Sequence, residues 1–388
     1  MYINLPSKNH YRRPASYASK GYRTRRMAVD FAVPLITNVK VAKILFEALV
    51  RRLPLDVSPI DFKTSHQTYT LPGLINVSAF VPGLGDSSSS DPVDATKVSL
   101  SGGFSTALVL PFGAGEGAVV SDRTTFDNVR ASFSRVYCNF ALSITATSSN
   151  VTTLDEELKA DAKSLFVPAD FTDMASLAAH FAAWPSNKLI VTNAKGTSLA
   201  PILLLAGLHN RSVHVTDVQR QEDLLLISLS KAKDLKVTCD VSIYSLFFNR
   251  EQYGSEAPLP TAADQKALWD NLETIDVFST GTTPYFLARC ANKDSAFRGI
   301  ADALPLLLTA VSAGRLTFKD IQARLHDNPV QIFGLPDQAF TTIEVVVGRK
   351  VRTGVVKKPQ GWSPSRRFWT APSTEFSYMA KQHSWMAN

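Results

Sequence analysis

The sequence predicts an α/β protein, a (β/α)8 TIM-like barrel preceded by a partial α/β segment. Three observations predict it. From about residue 70 onward, short β-rich runs alternate eight times with amphipathic helical runs, the pattern of strands joined by crossover helices. Several of the strand runs are apolar almost throughout, as parallel strands covered on both faces must be. A doubly wound open sheet is the architectural alternative. No GxGxxG follows the first strand, so the turn chemistry of that fold is missing.

The elements follow in order. Tyr2-Ile3-Asn4-Leu5-Pro6-Ser7 fits a short strand, Gly21 to Phe31 leads into a helix or turn, and Pro34 to Thr37 fits a second strand end. Val39–Val50 is an amphipathic helix. A hinge is expected around Arg52–Ser65, where Pro54 and Pro59 break any regular pattern. Barrel strands are expected at Leu74–Ala79, Thr106–Leu110, Val136–Ile144, Ser164–Val167, Leu189–Thr192, Ser212–Val215, Lys236–Val241 and Ile275–Ser279. Helical patterns lie at Met174–Trp184, Leu199–His209, Glu222–Lys233, Ala262–Leu272, Ile300–Ala313 and Phe318–His326. The stretch Gly83–Thr96, with serines from Ser87 to Ser90, is expected to be a flexible loop at the functional end of the first strand. From about Lys350 a Pro-, Lys- and aromatic-containing tail is expected to be a linker that docks in places.

Composition narrows the function classes. With 388 residues and 45% hydrophobic content the chain can bury a large core. Its apolar runs are short and interrupted, so no membrane span is expected, and the basic N-terminus lacks the apolar core of a signal peptide. Cys138, Cys239 and Cys290 are scattered without a CxxC pair, which fits a reducing cytoplasm. The net charge of +7 comes from the ends: residues 1–29 carry seven Lys/Arg and no acid, and residues 349–388 carry eight and the single acid Glu375. The middle is acidic, whereas a nucleic-acid binder concentrates positive charge on a folded face, so no nucleic-acid partner is expected. Seven histidines are present, His10, His66, His180, His209, His214, His326 and His383, none in HxH or HExxH spacing. Only His214 falls inside an expected barrel strand, where a lone histidine is more often a hydrogen-bonded core residue than a ligand.

The run Leu71-Pro72-Gly73-Leu74-Ile75-Asn76-Val77-Ser78-Ala79-Phe80 resembles the first barrel strand of the dihydroorotases, zinc enzymes of the amidohydrolase superfamily. In that family the strand ends in His-x-His and both histidines hold metal; here Ser78 and Phe80 stand in those places. A hydroxyl is a poor zinc ligand and a phenyl ring is none. The resemblance runs over roughly residues 68–345. Lys188 to Ala194 resembles a strand whose ligand histidine is here Asn193, and Ser212 to Asp217 resembles one whose ligand histidine is here Asp217. Where the family has Asp-His-Ala-Pro-His, with an Asp that is ligand and general base, this chain has Gly281-Thr282-Thr283-Pro284-Tyr285. The family's metal-bridging carbamylated lysine falls near Lys163, for which the plain reading is a strand-start lysine with an apolar stem and a wet head. The family's substrate arginine falls at Val81 or Pro82, and its asparagine after Pro111 falls at Phe112. Packing residues persist: Val237-Thr238-Cys239-Asp240-Val241, Ala267-Leu268-Trp269, and Leu304 through Val311 all resemble the family.

The first fifty residues resemble the end of the methylglyoxal-synthase-like regulatory domain of carbamoyl-phosphate synthases. Together these resemblances imply the inactive dihydroorotase-like domain of fungal multifunctional pyrimidine-biosynthesis proteins. The implied layout is residues 1–52 as that regulatory remnant, 53–66 as a linker, 67–348 as a barrel without catalytic residues, and 349–388 as a basic connector. The implied role is architectural, with no cofactor or metal, between carbamoyl-phosphate synthase and aspartate carbamoyltransferase, with a homo-oligomer interface as a further expectation. Two other readings stay open. One is a zinc-dependent dihydroorotase or other cyclic amidohydrolase with unusual ligands. The other is a small-anion sensor in which Arg23, Arg25 and Arg26 matter. Arg12-Arg13-Pro14-Ala15-Ser16 adds a candidate basophilic phosphorylation site at Ser16, for which the plain reading is a solvated loop.

Overall fold

The computed structural model describes residues 2–5, 20–50, 67–81, 92–111, 120–255, 257–284, 287, 299–336, 341–347 and 376–379. The chain divides into two compact units, Met1–Thr64 and Ser65–Asn388. In the first, Tyr2–Ile3 (β1) pairs in parallel with Leu35–Ile36 (β2), and helices span Lys20–Asp30 and Val39–Val50. Asn38 starts the second helix by accepting the Lys40 N–H at 2.8 Å, satisfying a first-turn donor that the helix itself leaves free.

The second unit is built around the barrel. Leu74–Ala79 (β4) pairs with Phe104–Val109 (β5), which pairs with Asn139–Leu142 (β6). Ile144–Thr145 (β7) starts the next sheet, running through Ser164–Val167 (β8), Leu189–Thr192 (β9), Val213–Val215 (β10) and Val237–Ser242 (β11) to Val277–Ser279 (β12), and Gln67–Pro72 (β3) precedes the barrel. All of these pairings are parallel. β6 and β7 flank Ser143 and act as one bent strand. The Ser143 N–H still donates to Val109 O on one side, while Lys163 N–H donates to Leu142 O on the other. Among the described residues this gives eight strand positions. The ring closes between β12 and β4 through a parallel bridge from Ala79 to Gly281. The buried Asn76 amide clasps that seam, its Nδ2 donating to Thr280 Oγ1 at 2.8 Å and its Oδ1 accepting the Thr280 N–H at 3.2 Å.

Two apolar layers hold the cylinder. Inside it lie Ile75, Val77, Leu108, Leu110, Phe166, Val191 and Val277. Outside, the alternate strand residues pack against helices that begin at strong caps. Asp122, Asp155, Asp173, Thr261 and Thr317 each accept first-turn N–H groups. The base of the barrel is plugged by a helical run: Phe318–Gln322, a π-turn at Ala323–Asp327, then Asn328–Phe333. Pro329 explains the π-turn, because it has no N–H for an i−4 bond and crowds the preceding turn. The run ends at Gly334, whose φ of 56° is left-handed. Phe333 joins the interior cluster.

A small antiparallel sheet flanks the barrel: Gln67–Pro72 (β3), Thr342–Val347 (β13) and Phe376–Met379 (β14), in the order β14-β13-β3. Sequence patterning did not anticipate it, and β14 lies inside the stretch expected as a connector. One expected loop is also revised. Residues 92–96 belong to a helix, Pro92–Ser101, opened by Pro92 with Asp94 in its first turn. The serine run, Ser16, Phe112, Tyr285, Cys290 and the aromatic tail beyond Met379 lie outside the described residues. Among the described residues no helix is long and apolar enough to cross a membrane.

Candidate functional site

In an eight-stranded barrel of this type the chemistry sits at the C-terminal ends of the strands. Ser78 occupies that end of β4, Asn193 follows β9, Asp217 follows β10 and Gly281 follows β12. The structure joins three of these directly. Gly281 N–H donates to Ser78 O at 3.0 Å, and a Cβ on Gly281 would lie 3.8 Å from Asp217 Oδ1. Gly281 has a φ of 58°, a conformation glycine adopts without cost and an aspartate only under strain. Ser78 is fully buried. Phe80 is half-buried beside Val81, which sits in the main apolar cluster.

Asp217 is the one carboxylate at the positions the resemblance singled out, and the chain itself engages it. Lys195 Nζ stands 3.0 Å from Oδ2. Gln219 Nε2 donates to Oδ1 at 3.0 Å and to Oδ2 at 3.1 Å, and to Pro258 O at 3.0 Å. The Asp217 backbone, at a left-handed φ of 56°, donates its N–H to Asp240 Oδ1 at 3.1 Å. Asn193 is spent on the backbone: its Oδ1 accepts the Ala169 N–H at 2.8 Å, tying the end of β9 to the loop after β8.

Below the mouth lies a buried polar network. Asp240, fully buried, accepts from Ser279 Oγ at 2.5 Å and from His214 Nε2 at 3.0 Å, besides the Asp217 N–H. His214 Nδ1 meets Thr238 Oγ1 at 2.8 Å, and its ring stands edge-on to Phe333 at 5.0 Å. His214 is thus a core histidine with both nitrogens partnered. His180 is another: Nε2 meets Thr147 O at 2.8 Å, and burial holds its imidazole below the ordinary value.

Lys163 is not at the mouth, which corrects its inclusion among the site positions. It precedes β8, so it stands at the opposite end of the cylinder, where Nζ donates to Gly334 O at 2.9 Å. Burial lowers its ammonium pKa. The mouth end of β8 carries Val167 and Pro168, neither of which can bear a carbamate. Of the three arginines proposed for anion sensing, Arg25 Nη1 donates to Asn4 Oδ1 at 2.9 Å and Arg26 pairs with the Asp30 carboxylate at 3.0 Å.

The donor set does not fit zinc. Among the described residues no group of three or more His, Cys, Asp or Glu side chains is placed to hold a metal ion. The one mouth carboxylate at a ligand position already carries an ammonium and an amide. Lys195 and Gln219 escaped sequence reasoning. The signal available was a charged residue two places after Asn193 and an amide two places after Asp217.

No protein-family model matches the chain. It is 51% identical over 370 residues to the multifunctional protein pyrABCN of Emericella nidulans, a match covering 94% of this chain and 16% of that protein. The chain spans about a sixth of the length of the curated multifunctional relatives it matches. Among solved structures it is similar to the inactive dihydroorotase-like domain of the Chaetomium thermophilum CAD-like multifunctional protein, at 44% identity and a TM-score of 0.68. That match covers 77% of this chain and 89% of that one. An L-hydantoinase (dihydropyrimidinase) from Arthrobacter aurescens superposes with a TM-score of 0.61 at 16% identity, covering 74% of this chain and 78% of that one, which shows the shared barrel fold alone.

Proposed function

The chain belongs to the family of inactive dihydroorotase-like domains of CAD-like multifunctional proteins, and from that membership we propose that it is a non-catalytic structural domain of a multifunctional pyrimidine (UMP) biosynthesis protein. It sits in the cytoplasm and connects a carbamoyl-phosphate synthase to an aspartate carbamoyltransferase. In this reading residues 1–52 end a regulatory domain of the synthase, 53–66 are a linker, and 349–388 lead to the transcarbamoylase. One observation carries the non-catalytic part: Asp217, the lone acid at the family's ligand positions, is engaged from within by an ion pair with Lys195 and hydrogen bonds from Gln219. General acid–base chemistry and a metal-generated nucleophile each need groups that these positions no longer supply.

The test has two arms. Purified protein is expected to hold no stoichiometric zinc and to leave dihydroorotate unchanged; bound zinc with turnover refutes the reading. Deleting residues 66–348 from the full-length protein is expected to lower the assembly or the activity of the flanking enzymes. Unchanged assembly and activities reduce the domain to a passive spacer.

The same reading includes a homo-oligomer, and one surface supports it. The barrel helix Leu199–Leu208 has the sequence LAPILLLAGL, with no charged residue and apolar side chains on every face. Such a helix is normally buried all round, yet Leu204 and Leu208 are 63% and 70% exposed. The neighbouring helix Gln221–Lys231 adds Leu225 and Leu229, also more than half exposed. The occupant proposed is a second copy of this chain. A two-fold contact brings like patches together, so an uncharged patch meets its own copy without repulsion.

A further inference from the structure

We propose that the ammonium of Lys195 is the resident cation of the barrel mouth. It supplies from inside the chain the positive charge that pins the strand-end loops together. The inference rests on the non-catalytic reading above and asks a different question, namely what holds the mouth in shape. Four neighbouring strands meet around Asp217. Lys195 follows β9 and reaches Asp217 Oδ2 at 3.0 Å. Asp217 follows β10 and, through its N–H, holds Asp240 of β11. Gly281 follows β12, and a Cβ built on it would come within 3.8 Å of Asp217 Oδ1. Asp217 is itself in a left-handed conformation, a backbone state that persists only where surroundings impose it.

The pair is sheltered enough to matter. The Asp217 side chain is 15% exposed and that of Lys195 35%, so the ammonium is partly hydrated while the carboxylate is largely withdrawn from water. Removing the cation leaves a poorly solvated anion whose remaining side-chain donor is the Gln219 amide. The loop bearing Lys195 is fixed independently. Gly196 N–H donates at 2.7 Å to Asp223 Oδ1, and Asp223 is buried. The lysine is therefore presented by an ordered turn rather than swinging in from solvent.

The test uses the whole chain and thermal unfolding. Lys195→Met keeps the aliphatic stem and removes the charge; it is expected to lower Tm by about 5 °C, the scale set by losing a partner of a largely buried charge in a domain of this size. Lys195→Arg keeps the charge and is expected within about 2 °C of wild type. Adding Asp217→Asn to Lys195→Met is expected to recover more than half of the loss, since no orphaned anion remains. In Lys195→Ala, which leaves room at the site, millimolar ethylammonium is expected to raise Tm, with no such rise in wild type or in the Lys195→Ala/Asp217→Asn pair. A Lys195→Met variant as stable as wild type overturns the proposal. So does a loss that neither Asp217→Asn nor an added cation reverses. Zinc bound stoichiometrically to the wild type refutes the non-catalytic reading instead, so the two failures are distinguishable.

Discussion

At the scale of single residues, replacing a ligand differs from removing a charge. Ser78, Phe80, Asn193 and Gly281 simply lack the groups that bind zinc. Asp217 keeps a carboxylate, and a lysine and a glutamine occupy it. These identities were legible in the sequence because each lies in a short run whose neighbours fix its place at a strand end. Lys163 stands at a strand's start, as its plain reading had it, and the resemblance that grouped it with the mouth positions had no local motif there to fix its place. Lys195 was legible only as a charge two places after Asn193, because its role depends on a contact across 22 positions that no local pattern encodes. The buried His214–Asp240 pair belongs to the same scale. Asp240 accepts from three donors with no exposure to water, so removing its side chain leaves three buried donors unpaired at once. Asp240→Ala strips the partner from His214, Ser279 and the Asp217 N–H together. It is expected to cost about 3–5 kcal/mol in chemical denaturation, the range for breaking one side of a buried pair. A cost below about 1 kcal/mol means that the network is dispensable.

At the scale of elements, the barrel strands were readable because a parallel strand buried on both faces must be apolar along its length. Leu189–Thr192 and Val213–Val215 show this, their polar exceptions being satisfied: Thr192 Oγ1 accepts the Ala194 N–H, and His214 meets Thr238 and Asp240. The flanking sheet was missed although Thr342–Val347 is β-branched almost throughout, a strand signature. Its partner Gln67–Pro72 precedes it by about 270 residues, and so distant a pairing leaves no trace in a local window. The helix Leu199–Leu208 offers a sharper lesson. Its apolar content marks it as a helix buried on every side, but a barrel covers only its inner face. The leftover leucines are the readable sign of a second contact. Replacing Leu204 and Leu208 with glutamate places like charges opposite one another across a two-fold interface. Light scattering is expected to show a shift from dimer to monomer with an unchanged far-ultraviolet circular dichroism spectrum. A variant that stays dimeric, or a wild type monomeric at tens of micromolar, removes this surface from the reading.

At the scale of the whole molecule, burial is divided very unevenly between the two units. Among the described residues, the unit Met1–Thr64 fully buries only Ala28 and Ala42 of its apolar side chains, while Met27, Val29, Phe31, Ile44, Phe46 and Val50 are more than half exposed. The unit Ser65–Asn388 contains both layers of the barrel core. Two alanines offset only a small part of the conformational entropy of ordering the helices Lys20–Asp30 and Val39–Val50, roughly 1–2 kcal/mol per residue for the backbone alone. A peptide of residues 1–64 is therefore expected to show no cooperative melting transition and little amide protection in hydrogen exchange. The fragment 65–388 owes its stability to a core it carries entirely within itself. It is expected to unfold in one cooperative transition within about 3 °C of the full chain, a difference worth roughly 1 kcal/mol at this size. A fragment that melts far earlier, or a 1–64 peptide that folds alone, would show that the apolar faces of Lys20–Asp30 and Val39–Val50 are supported in a way the burial pattern does not reveal.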